Sequence, residues 1–419
     1  MKAAVITLGC KVNDVESGSI IHGLEQLGYQ VTRNLEYADI YVVNTCAVTA
    51  EAERKSRQTV GKALKCNPDA KVIVCGCASE KSPAAFLDKD CNVQAVVGAQ
   101  GKNKVLQIVQ SGFANEFCGL QKQNDGGRYE DMLTPKCLRT RNFVKIQDGC
   151  NRFCSYCIIP YLRGRSRSRD MQSAAEEIRQ STALETVVTG IDISAYKDAQ
   201  GNDLADLLLS VKDVDTRIRL GSMEVSLITD KFLDALTQIK HFAPQFHLSL
   251  QSGSNAVLKS MNRHYTAEEY LQACARIRQV FPNAGITTDI IAGFPTETEE
   301  DFLASVNIIH DAAFSQIHAF PYSPREGTNA YKKYKELPMA LKKQRVERLL
   351  ATGENEKQKF IDGFIGKTLT IVPERCIDGY TEGYSGNYIR VYVAGEMANE
   401  RTQVRVESKF KDGVLATKL

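Results

Sequence analysis

GCNRFCSYCIIP, residues 149–160, sets Cys150, Cys154 and Cys157 in a C-x3-C-x2-C spacing directly behind the β-branched run FVKIQ (143–147). A strand that ends in three thiols puts them at the mouth of whatever sheet or barrel the strand belongs to. Three thiolates on one short loop suit three irons of a 4Fe–4S cube. The missing fourth ligand leaves one iron open to chelate the amino and carboxylate groups of a bound methionine. A zinc knuckle or a regulatory thiol group is the competing reading. Zinc, however, normally takes four ligands in pairs such as C-x2-C, and no histidine lies within 80 residues.

Outward from this loop, apolar runs alternate with helical segments. FVKIQ, TVVTGI, RIRLGSM, FHLSLQ, ITTDIIAG and QIHAFPYS are six strand candidates. Six βα units predict a partial barrel rather than a closed eight, followed by a charged helix from about Pro338 to Phe364. N-terminally, AAVITL, DIYVVNT, KVIVCG and QAVVGA are short strands. Ile20, Ile21, Leu24 and Leu27 recur at helical spacing between the first two, closed by Gly28. This predicts a doubly wound parallel sheet. Residues 113–138 are polar, aperiodic and glycine-bearing, a linker. TLTIVPERC, YIRVYVA and TQVRVES, with the turn-rich DGYTEGYSGN, predict a small five-stranded β-barrel. The expected class is α/β, with boundaries at 1–112, 113–138, 139–362 (including the trailing helix) and 363–419.

Bulk properties exclude more than they assign. Thirteen cysteines without a signal peptide point away from a disulfide framework and toward metal or redox chemistry. No apolar stretch approaches the roughly 18 residues of a membrane span, so the expected compartment is the cytosol, with no membrane partner. The net charge of +3 is ordinary. Yet Arg139–Arg169 holds eight basic residues against one acid, enough to attract a polyanion. Within it, LRGRSRSR carries Arg163, Arg165, Arg167 and Arg169. In extended backbone these form a one-sided cationic comb for RNA phosphates; a solvated strand, or pairing with the acidic helix face starting at Asp170, is the alternative.

A second thiol set sits at strand ends. TLGCKVN puts Cys10 past the first strand, NTCAVT puts Cys46 past another, and VIVCGCASE puts Cys77 past a third. Carboxyl ends of parallel strands line one sheet edge, where ligands collect, and neighbouring strands lie about 4.8 Å apart. Cys10, Cys46 and Cys77 can therefore converge on one inorganic object, again with three ligands. The competing reading is that cysteines pack as small apolar residues, which we expect of Cys66, Cys91, Cys118, Cys137, Cys274 and Cys376. Alternation predicts that Cys75 is buried and shares a face with Cys77; whether it touches that site is left open by the sequence.

The central triplet resembles the radical S-adenosylmethionine superfamily. Together with the N-terminal cysteines and the C-terminal β-barrel, it resembles the methylthiotransferases over nearly the whole chain. TLGCKVN followed by NTCAVT is most similar to the branch acting on N6-threonylcarbamoyladenosine at position 37 of tRNA. This resemblance implies two 4Fe–4S clusters and S-adenosylmethionine as cofactors, with a 5′-deoxyadenosyl radical formed on reductive cleavage, and a methylthio group added at C2 of the adenine. It further implies a tRNA anticodon stem-loop as partner and an electron donor such as flavodoxin or ferredoxin. The isopentenyladenosine branch, the ribosomal-protein branch and a non-catalytic zinc-bound tRNA-binding protein are the alternatives.

The resemblance also implies cofactor contacts at strand mouths. These are Thr189 and Gly190 in TGI, Glu224 in GSMEVSLIT, Gln251 and Ser252 in QSGSNAVLKSMNR, Gly293 in DIIAGFPTET and Arg325 in YSPREGT. The family commonly reads S-x-E-P where this chain has Val225. Surface ion pairs and ordinary turns are the alternatives for these residues. The C-terminal barrel resembles the TRAM domain, which implies RNA binding; Tyr384, Tyr388 and Arg390 are its stacking candidates. They are equally readable as aromatic core.

Overall fold

The computed structural model describes residues 1–87, 93–113, 128–135 and 140–419, with the backbone of 118 and 119. Most of the expected linker lies outside the described residues, as do Cys91, Cys137, Arg139 and the side chain of Cys118. Two units make up the chain. The first is Met1–Lys136, Lys145–Arg169 and Ser323–Lys332; the second is Cys137–Val144, Asp170–Tyr322 and Lys333–Leu419. All six candidate cluster cysteines belong to the first.

Its sheet contains β1 (Lys2–Thr7), β2 (Gln30–Thr32), β3 (Ile40–Thr45), β4 (Lys71–Gly76), β5 (Val93–Val97) and β6 (Cys118–Gly119). They run parallel in the order β2-β1-β3-β4-β5-β6. The three- and two-residue strands β2 and β6 are too short to stand out in the sequence. Alternation divides the others between two cores. Ala4, Tyr41, Val43, Val72, Val74 and Val96 pack with helix Ala50–Cys66 through Val60 and Ala63. Ala3, Val5, Ile40, Val42, Ile73 and Val97 pack with helix Lys11–Gln26 through Ile20, Ile21 and Leu24. Burial on both faces explains why these strands read as continuous apolar runs. The end of β7 (Arg141–Asp148) pairs antiparallel with β8 (Arg167–Ser168).

In the second unit, β9 (Glu185–Gly190) lies between β7 and β10 (Arg217–Leu220). RIRLGSM, expected as one strand, is broken at Gly221 into β10 and β11 (Ser222–Met223). β11 pairs parallel with β12 (Gln245–Leu248), then come β13 (Gly285–Ala292) and β14 (Gln316–Pro321). These six strand positions, with helices between, are the partial barrel. Helix Met339–Asp362 follows. The C-terminal β15 (Thr368–Ile377), β16 (Tyr380–Ser385), β17 (Arg390–Ala394), β18 (Thr402–Phe410) and β19 (Gly413–Lys418) close into a barrel. No helix among the described residues is long and apolar enough to cross a membrane.

Candidate metal centre

Cys10, Cys46 and Cys77 each follow a strand end within one residue or a short turn, and glycines bring them together. Gly9 has φ +99°, and a Cβ there would lie 2.7 Å from the Cys46 sulfur. Gly76, at φ +105°, would drive a Cβ to 2.5 Å from the Thr45 carbonyl, so both turns demand glycine. Thr45 Oγ1 accepts the amides of Ala78 and Ser79, each at 3.2 Å, fixing the helix that begins at Cys77. Cys10 stands at the N-cap of helix Lys11–Gln26, its sulfur making no capping hydrogen bond, where the helix dipole attracts negative charge.

Burial pushes the Cys46 thiol up to about 11, with Cys77 and Cys10 adding to the effect. Burial also raises Cys77, against which the Arg163 and Lys102 cations pull. The three sulfurs are electrostatic neighbours whose joint ionisation is costly unless a cation holds them. They are not a closed cage: among the described residues, no three His, Cys, Asp or Glu side chains are gathered tightly enough for a metal ion. The donor set of three thiols beside two cations nevertheless fits an anionic iron–sulfur cluster. Cys75 is fully buried, as alternation predicts, but lies in the core opposite that of Cys77, because Gly76 ends the strand and resets alternation.

The central loop is equally constrained. A Cβ on Gly149, at φ +69°, would lie 2.0 Å from the Arg165 carbonyl. The Cys150 amide donates to the Gly164 carbonyl at 3.1 Å. The Arg152 amide donates to the Cys150 sulfur at 3.4 Å, the kind of contact that favours thiolate over thiol. Phe153 takes φ +48°, and its ring meets Tyr161 edge-on at 5.7 Å under the Arg165 guanidinium. The Cys157 amide donates to the Cys154 carbonyl at 2.9 Å, a tight turn that joins the last two cysteines. Cys154 is buried, whereas Cys150 and Cys157 are half-buried.

Cys150, Cys154 and Cys157 thus share one constrained loop. Three thiols so placed suit three corners of an iron–sulfur cube, each taking a separate iron.

Beneath both loops lies a buried charge cluster that the sequence did not reveal. Arg163 is fully buried and reaches Glu16 at 2.9 Å, Asp148 at 3.0 Å and Asn13 at 2.7 Å. Lys145 bridges the same carboxylates at 2.7 and 2.8 Å. Lys102 contacts Glu16, and Arg167 lies 3.1 Å from Asp148. Burial alone would raise Glu16, yet Arg163, Lys102 and Lys145 hold it well below the carboxylate range. Four cations against two carboxylates leave an excess of positive charge beside Cys77, which suits bound anions.

This corrects the cationic comb. Helix Ile159–Arg163 and Gly164, at φ +76°, break the extended alternation. Arg163 and Arg167 turn inward, while Arg165 is exposed and Arg169 half-buried. Arg325 is buried and donates to Glu53 at 2.5 Å, a carboxylate it shares with Lys81 at 3.0 Å.

In the second unit, Thr189 is buried and Gly190 half-buried at the end of β9. Glu224 accepts from Arg263, a residue that sequence reading passed over although it closes the quoted QSGSNAVLKSMNR. The signal was available, since a buried carboxylate needs a cation. Gln251 has the strained φ +71°. Ser252 is fully buried with its hydroxyl 3.4 Å from that of Ser305, bracing the loop rather than facing a ligand. At Gly293, φ +71°, a Cβ would lie 2.4 Å from Lys342 Cγ, so the turn here requires glycine.

The TRAM-like candidates have partners within the chain. Tyr384 and Tyr388 stack at 4.8 Å, with Arg141 over the first at 5.0 Å and Arg219 over the second at 4.8 Å. Arg217 donates to the Tyr384 carbonyl at 3.0 Å, and Arg219 to those of Ser385 and Gly386 at 3.0 Å. Glu185 anchors Arg141, Arg217 and Arg219; they hold its carboxyl down to about 2 against the opposing effect of burial. Arg390 is neutralised by Glu382 and Asp412. The tyrosine hairpin therefore latches the barrel to the starts of β9 and β10. Arg219→Ala should destabilise this unit by about 3 kcal/mol through the weakened charge pairing; an unchanged urea midpoint would refute the latch. Of the packing cysteines, Cys274 is buried as expected, whereas Cys66 and Cys376 are exposed.

Comparison with known proteins places these features in context. Residues 2–98 match the family described as Uncharacterized protein family UPF0004, and residues 144–309 match the Radical SAM superfamily. The threonylcarbamoyladenosine tRNA methylthiotransferase MtaB of Bacillus subtilis is 35% identical, the match covering 96% of this chain and 92% of that protein. The Aquifex aeolicus protein of the same name is 35% identical, covering 94% and 100%. A tRNA-2-methylthio-N(6)-dimethylallyladenosine synthase of Oceanobacillus iheyensis is 33% identical, covering 91% and 77%. In fold, the chain is similar to the radical S-adenosylmethionine methyltransferase TsrM of Kitasatospora setae, with TM-score 0.55, 14% identity and coverage of 86% and 90%.

Proposed function

The chain belongs to the radical S-adenosylmethionine methylthiotransferase family, and from that premise we propose that it adds a methylthio group to C2 of N6-threonylcarbamoyladenosine at position 37 of tRNA. The observation that carries this reading is the pair of thiol triplets, Cys10/Cys46/Cys77 and Cys150/Cys154/Cys157, in one folded unit. Full-length similarity to proteins named for this reaction supports the choice of nucleoside.

Each triplet would hold one 4Fe–4S cluster, leaving an iron without a protein ligand. When bound, these clusters and S-adenosylmethionine supply the radical and methylthio chemistry that an inert aromatic C–H requires. The chain's own contribution is to hold and shield. Gly149 and Gly164 fold the Cys150 loop, the Arg152 amide donates to the Cys150 sulfur, and the buried cations pull against the effect of burial at Cys46 and Cys77. Reduction would come from a small electron carrier such as flavodoxin or ferredoxin, in the cytosol.

Mass spectrometry of tRNA nucleosides from cells with and without the gene tests this. The methylthio form of threonylcarbamoyladenosine should vanish on deletion, with the unmethylthiolated nucleoside accumulating. Loss of only the methylthio-dimethylallyl nucleoside would move the chain to the other tRNA branch. An unchanged nucleoside profile would overturn the RNA reading.

A further inference from the structure

Strands β12, β13 and β14 turn alternate residues to two faces, one of them under helices. Leu248, Ile290 and Ile317 lie on the helix-covered face and are buried. Helix Met339–Asp362 packs there so closely that a Cβ on Gly353 would lie 2.3 Å from Ile317. By strand alternation, His247, Asp289, His318 and Phe320 share the other face. Register sets Thr287 opposite His247 and Asp289 opposite His318.

These side chains are organised. His247 Nε2 is 3.4 Å from the Asp289 carboxylate, and its Nδ1 is 3.0 Å from Thr287 Oγ1. The His247 and His318 rings lie 6.1 Å apart. An ion pair serving only the core would be buried on both sides. Instead the His247 side chain is 15% exposed, that of Asp289 is 35% exposed, and Phe320 is 49% exposed. His247 is held on two sides, and the Asp289 carboxylate, the His318 imidazole and the Phe320 ring are each reached by solvent. A purine with a polar N6 substituent matches this set. The ring face of Phe320 suits the base. The Asp289 carboxylate accepts a ureido N–H, and a histidine N–H donates to a substituent carboxylate. A purely alkyl substituent would desolvate the exposed part of the Asp289 carboxylate and offer it no donor, a penalty that discriminates strongly.

We infer that His247, Asp289, His318 and Phe320 form the recognition site for the ureido and carboxylate groups on the target adenosine, an inference that rests on the proposed substrate. The full chain is titrated with two anticodon stem-loop RNAs of one sequence, carrying threonylcarbamoyl or dimethylallyl on the same adenosine. Wild type should favour the first. Asp289→Asn, which keeps the side-chain shape, and His318→Ala, on the exposed face, should each reduce that Kd ratio about 10-fold, the worth of one hydrogen bond to a charged group. A merely structural role would weaken both RNAs alike. If wild type prefers the threonylcarbamoyl RNA and both variants keep its ratio, the site is wrong although the substrate stands. If wild type shows no preference, both readings fall.

Discussion

Glu16→Gln should lower the stability of the first unit by about 3–5 kcal/mol, the scale of breaking a buried ion pair. Glu16 is 2% exposed and meets Lys102, Lys145 and Arg163. Lys102 is fully buried, so removing its carboxylate strands a cation in the interior. The positive excess around the site grows by one, with Asp148 left as the cluster's single carboxylate. The pH dependence has a definite sign. The Glu16 carboxyl is held well below its ordinary value of 4.5 in the folded chain. Its contribution is present in full above that value and is lost as pH falls below it. Melting of apo wild type and variant at pH 7 should therefore differ by about 10 °C, and the gap should narrow below about pH 4.5. Equal melting at pH 7 would show that the cluster contributes nothing.

The parts of the fold written in local pattern were legible. β1, β3, β4 and β5 stood out because burial on two faces forces unbroken apolar runs, and the thiol triplets stood out because ligands must recur at strand ends. What escaped was pairing over long sequence separations. Arg163 reads as one tooth of an exposed comb until Glu16, 147 residues away, is brought to it. Arg325 reads as a cofactor contact, with no hint of its bond to Glu53, 272 residues away. Tyr384 and Tyr388 read as base-stacking rings, while the Arg141 and Arg219 cations that lie over them are invisible in the local sequence. A single sequence advertises a charge or a ring but not the partner that uses it. The exceptions were cysteines, whose chemistry leaves fewer partners to choose from.

The largest effect on activity should come from Cys154→Ala. Two thiolates, Cys150 and Cys157, cannot hold a cube that three secure, so iron in the anaerobically reconstituted protein should fall from about eight to about four per chain. Methylthio product should drop by at least about a thousand-fold, as expected when a unit acting as a whole loses one member. Cys46→Ala should remove a similar share of iron but by a different route. Its loop is held by Ser56, which exchanges hydrogen bonds with the Cys46 backbone at 3.1 and 3.2 Å, so the fold survives loss of the sulfur. The two variants should then part company in one assay. Reductive cleavage of S-adenosylmethionine to 5′-deoxyadenosine needs only the Cys150 loop, so it should persist in Cys46→Ala and disappear in Cys154→Ala. Persistence of cleavage in both, or product from either, would mean that these thiols do not divide the chemistry between two centres.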